Sequence, residues 1–122
     1  MKRVHLLKHE GKSIIYMDFT ALKDISIIEE IINEARIYIR KQPSKSVLTL
    51  SDIEGMHFNA DIKSVFFDFV KGNKEYVAYG AVVGLSGLQR IVYNGIMKLA
   101  GRDVRSFETM ELAKMWLVSK EV

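Results

Sequence analysis

The sequence predicts an α/β fold: a mostly parallel five-stranded sheet with one antiparallel edge strand and four helices. Three observations carry that expectation. Short β-branched runs such as SIIYMDF, SVLTL and GAVV alternate with stretches whose apolar residues recur at helical spacing. Helical stretches open on capping signatures, with Ser26 and Glu29 in one S-x-x-E and Ser86 and Gln89 in an S-x-x-Q. Strand and helix alternate after an initial hairpin, and alternation of this kind implies parallel neighbours joined by right-handed crossovers.

In chain order, residues 3–9 and 13–19 read as strands joined by Glu10, Gly11 and Lys12, a turn of hairpin length. The first alternates and belongs at an edge, whereas SIIYMDF is apolar enough for the sheet interior. A helix follows over 27–42, capped by Ser26. Glu29 and Glu30 stand in its first turn, its buried stripe is Ile28, Ile31, Ile32, Ala35 and Ile39, and Pro43 closes it. The third strand, 46–50, leads through a loop to a helix over 60–72, with Asn59 as cap and Ile62, Val65, Phe66 and Phe69 inward. The clearest unit comes next: strand 80–83, turn 84–87 and helix 88–100, with Gly101 as its stop. A short strand over 103–107 and a helix over 110–118, capped by Thr109 and packed through Met110, Ala113, Trp116 and Leu117, complete the order β-β-α-β-α-β-α-β-α.

The 122 residues fit a single domain over 1–122, 48% apolar and 27% charged, which is ordinary globular composition. With no cysteine there is no disulfide, thiolate metal site or cysteine nucleophile. The opening MKRVHLLKHEGK lacks the continuous apolar stretch of about 7–15 residues that a secretory signal needs. No run approaches the ~20 apolar residues of a membrane span, so a cytoplasmic protein is expected. The net charge of +3 is spread along the chain, and no stretch has the form of a nucleic-acid-binding arm.

The stretches VLTLSDIEGMHFN, AVVGLSGLQRIV and GRDVRSFETMELAKMWL together give the chain a resemblance to the STAS/SpoIIAA-like family. That group comprises anti-sigma-factor antagonist domains and their stand-alone bacterial relatives. The resemblance covers nearly the whole chain. It implies a SpoIIAA-like fold and a regulatory, non-enzymatic role through protein contact, with a homodimer as one form of it. Phosphorylatable members carry a serine where the loop after the third strand enters its helix. The matching positions are Asn59, Ala60 and Asp61; none is a serine, and Ser64 lies about a turn further on. The resemblance therefore implies the interaction role without the phosphoserine switch.

The residues offer a second reading. Ligands of open parallel sheets gather outside the carboxyl ends of the strands, where this chain places Asp18, Asp52, His57 and the turn Gly84, Leu85, Ser86, Gly87. Asp52, His57, Gly84, Ser86, Gly87 and Arg90 are thus the candidates for holding a small anionic or amphipathic ligand. The turn matches neither G-x-G-x-x-G nor the P-loop, and G-L-S-G-L lacks the second glycine position of a nucleophile elbow. No histidine or carboxylate spacing points to a metal, and no cofactor is expected. Finally, the helix over 88–100 is apolar nearly all round. With Leu88, Ile91, Val92 and Leu99 as one stripe, Tyr93, Ile96 and Met97 lie beside it, as Phe67 lies off the stripe of its own helix. These four are the candidates for a protein interface, rimmed by Lys71, Lys74, Arg90 and Arg102.

Overall fold

The computed structural model describes residues 2–122. Turn chemistry starts the sheet. β1 (Val4–His9) and β2 (Lys12–Asp18) meet across Glu10 and Gly11, at φ +47° and +81°. Two central residues with positive φ make the hairpin turn whose twist matches that of paired strands. β1 runs antiparallel to β2, with Val4 opposite Met17 and His9 opposite Lys12. There follow α1 (Ile25–Ile39), β3 (Val47–Asp52), α2 (Ala60–Gly72), β4 (Val77–Val83), α3 (Gly87–Ala100), β5 (Val104–Phe107) and α4 (Met110–Val118). The sheet order is β1-β2-β3-β4-β5, parallel from β2 onward. Fold class and element order are those the sequence predicts.

Each crossover steps one strand in the same direction. Right-handed steps of that kind leave every connecting helix on one face of the sheet. α1, α2 and α3 accordingly share the larger core with Ile15, Met17, Val47 and Val82. α4 covers the opposite face, where Ala113 and Leu117 pack on Ile14, Leu50, Ala81 and Val83. Neighbouring residues of β2 therefore serve different cores, and Ile14 and Ile15 are both buried. This double cover is why the strand reads as an unbroken apolar run. The order never reverses, so the sheet lacks the switch-point crevice in which doubly wound folds bind ligands.

Two expected caps are in place: Asn59 accepts from the Ile62 N–H at 2.9 Å and Thr109 from the Leu112 N–H at 3.1 Å. Two are not. α1 begins at Ile25, capped by Asp24, whose carboxylate accepts from the Ser26 N–H at 2.8 Å. An upstream carboxylate reaches the free amides first, so Ser26 lies inside the helix and Glu29 and Glu30 fall beyond its first turn. Ser86 occupies the cap position of α3, but its side chain makes no capping bond. Gly87, at φ +53°, redirects the chain between that hydroxyl and the helix. β4 also begins earlier than expected, at Val77, because Val77 pairs with Val47 beside an irregularity in β3.

Candidate interaction face and the neighbouring cleft

α3 decides how this end of the molecule looks. Its inward residues are Tyr93, Ile96, Met97 and Ala100. Tyr93 sets the rotation: its ring, 2% exposed, lies 6.0 Å from that of Phe66 within a cluster holding Phe19, Phe58 and Phe69. Tyr93, Ile96 and Met97, expected at an interface, are therefore core residues. Of the stripe Leu88, Ile91, Val92 and Leu99, Val92 is half-buried against the core, while Leu88, Ile91 and Leu99 lie outside, 74%, 69% and 79% exposed. Both stripes are apolar and helically spaced, so periodicity alone cannot rank them; the aromatic complement on α2 does. Phe67 is half-buried, with Lys71 Nζ 5.6 Å above its ring.

Gly95 lies on the same outer face, one turn from Ile91 and one from Leu99. A Cβ there would meet nothing within 4 Å, so no contact inside the chain asks for glycine. The row Leu88, Ile91, Gly95, Leu99 carries no charge, and the only charged residues of α3, Arg90 and Lys98, are both cations. Large exposed apolar side chains in a row, unlike single ones, mark a surface that contacts something.

At its N-terminal end this row runs into a cleft of about 360 Å³. Met56, His57 and Phe58 form one wall, and Ser86, Gln89 and Val92 the other. Gln89 fixes the width. Its Nε2 donates to the carbonyl oxygens of Ile53 (2.6 Å) and Met56 (2.9 Å), tying the loop after β3 to the first turn of α3. The sequence signal for this tether was taken up by the capping spacing, which assigns Gln89 a local role.

The six ligand candidates do not gather at one point. His57 and Ser86 share the cleft just described. Gly84 and Arg90 line another, of about 460 Å³, with Ser106, Phe107 and Glu108. Arg90 Nη2 donates to the Leu85 carbonyl at 3.0 Å. Gly84, at φ +88°, is needed for a close approach: a Cβ would stand 2.6 Å from the Glu54 nitrogen. The turn is thus packed against the loop after β3. Gly87 is open to solvent, and a Cβ there would meet nothing within 4 Å.

Asp52 lies apart, beside Asp18 in register across β2 and β3. Asp18 accepts from the Thr20 N–H (2.9 Å) and hydroxyl (2.6 Å), with Arg3 3.6 Å away. Asp52 accepts from the Glu54 N–H at 3.1 Å. Both carboxylates close the turns at their strand ends. Burial raises the Asp52 pKa above its ordinary 3.8, the Glu54 N–H opposes the rise, and the Asp18 charge adds to it. Burial also pushes Tyr16 up to about 12, with Asp18 and Asp52 adding and Arg3 opposing. No hydrogen bond links Asp52, His57 and Ser86 among the described residues.

Of the three residues at which the resemblance would put a phosphorylatable serine, Asn59 caps α2, Ala60 is its first residue and Asp61 its first-turn acid. Among the described residues no group of three or more His, Asp or Glu could hold a metal, and no helix is long and apolar enough to cross a membrane. No family model, curated protein or solved structure matches this chain.

Proposed function

We propose that this chain is a STAS/SpoIIAA-like interaction domain of the bacterial cytoplasm, regulatory and non-enzymatic, which pairs with a second copy of itself through the outer face of α3. The exposed row Leu88, Ile91 and Leu99 is the observation that carries the reading. Spacing supports a second copy as the occupant. Ile91 and Leu99 each stand four residues from Gly95, so an antiparallel copy crossing at Gly95 sets Ile91 of each chain against Leu99 of the other. A two-fold interface requires that kind of self-complementarity, and glycine at the crossing lets the two backbones approach. The element order and its loops support the family. Ala60 at the switch position supports a role without phosphoserine, since it has no hydroxyl to modify. NMR spectra recorded across a concentration series test the pairing. Shifts confined to the amides of α3 are expected, and spectra independent of concentration up to about 1 mM would defeat it.

A second reading is favoured by the cleft beside Ser86. Its volume of about 360 Å³ lies at the small end of ligand pockets. Met56, Phe58 and Val92 supply apolar walls, and His57 and Ser86 the polar groups. An amphipathic molecule with a short apolar tail and an anionic head suits that lining. Decanoate is a suitable probe: it should raise the melting temperature of the wild type but not of Val92→Trp, which fills the cleft. Equal shifts in both proteins would remove this reading without touching the pairing of α3.

A further inference from the structure

The large core contains one polar pocket. Between the sheet and the helices α2 and α3 lies a small cavity of about 20 Å³. Most of its wall is apolar, but Thr49, Ser51, Asn73, Tyr93 and Arg102 also line it. Thr49, Ser51 and Asn73 are the three buried polar residues among those described, and all of them meet at this one place. Asn73 is 2% exposed, and its Oδ1 has no hydrogen-bond partner. A buried carbonyl oxygen without a donor has lost its hydration with nothing in return, so its persistence calls for a partner.

The chain is shaped to keep this space open. Gly101, at φ +69°, ends α3 with two bonds, from its own N–H to Lys98 O and from the Arg102 N–H to Met97 O. That turn carries Arg102 beneath α2, where Nη1 donates to Val70 O at 2.8 Å. On the strand below, Gly80 leaves room: a Cβ there would sit 3.0 Å from Thr49 Oγ1 and 3.4 Å from Arg102 Nη2. No carboxylate among the described residues lies within ion-pair distance of Arg102.

We propose that the cavity is a site for a single structural water, which donates to Asn73 Oδ1 and joins it to the Thr49 and Ser51 hydroxyls and the Arg102 guanidinium. Size and chemistry select the occupant. A water occupies about 10–15 Å³ and needs two to four polar partners; the cavity has the room and the partners for it. A halide would satisfy Arg102 but set its charge against the Asn73 oxygen, which needs a donor. Only a water serves donor and acceptor together. So placed, it links the end of α2, the middle of β3 and the approach to β5, three segments far apart in sequence.

A crystal structure of the full chain at about 1.5 Å tests the assignment, with one crystal soaked in bromide. A single water peak about 2.7–3.2 Å from Asn73 Oδ1 is expected. An empty cavity, or an anomalous bromide signal inside it, would overturn the assignment. In solution, water-oxygen magnetic relaxation should count one more long-lived water in the wild type than in Asn73→Leu. Thr49→Val keeps the shape of the site and should shorten the residence time of that water severalfold. Unchanged relaxation in Thr49→Val would overturn the proposal even if Asn73→Leu failed to fold.

Discussion

Gln89 and Ser86 both leave the roles their spacing suggests. The amide crosses to Ile53 and Met56 instead of bonding its own helix, and the hydroxyl makes no capping bond. Gln89→Ala should therefore lose about 1–3 kcal/mol, because two loop carbonyls are left without their donor. Ser86→Ala should change stability by less than about 0.5 kcal/mol. Urea denaturation of the two variants checks both values. Asp52 gives a pH-dependent expectation. Its raised pKa means that the folded carboxyl keeps its proton to higher pH than the unfolded one. Stability contributed at this site falls as pH rises through that window, and the full cost is present above it. Asp52→Asn retains an oxygen for the Glu54 N–H and removes the charge. It should be more stable than the wild type at pH 7, and the gain should disappear below about pH 3, where both forms are neutral.

Element boundaries were legible wherever a cap acts on its own helix. Asn59 and Thr109 cap α2 and α4 as their positions suggest, and Gly101 stops α3. Legibility failed where two local signals compete or where the answer lies across the fold. Asp24 and Ser26 are both good caps, and only the path of the backbone decides for Asp24. α3 has two apolar faces, and its rotation is fixed by the rings of Phe66 and its neighbours, far off in sequence. The candidate site suffered most, since three of its four proposed interface residues are core. Gly95 tests the corrected rotation. Glycine within a helix is about 1 kcal/mol less favourable than alanine, and here a Cβ meets nothing. In dilute solution Gly95→Ala should gain roughly that amount in a urea melt. In concentrated solution the same methyl should weaken self-association. A loss of stability would mean that the outer face of α3 has been misassigned.

For the whole molecule, one-directional winding explains both what was predicted and what was not. Alternating strands and helices announced parallel neighbours, and a right-handed rule then places α1, α2 and α3 on one side. The expectation of ligands at the strand ends borrowed from doubly wound sheets a crevice that this strand order does not make. Candidates grouped by that rule are accordingly split between two clefts and a carboxylate pair. What the winding does create is a three-helix layer whose last helix has a neighbour on one side only, α2. The outer face of α3 is left without a partner, and the account of function depends on a second chain covering it. Sedimentation velocity of the wild type and Ile91→Asp, from about 1 to 500 μM, tests that most directly. The account predicts a concentration-dependent dimer in the wild type and a folded monomer, with an unchanged melting temperature at low concentration, in the variant. A wild type that stays monomeric throughout, or an Ile91→Asp variant that dimerises equally well, would contradict it.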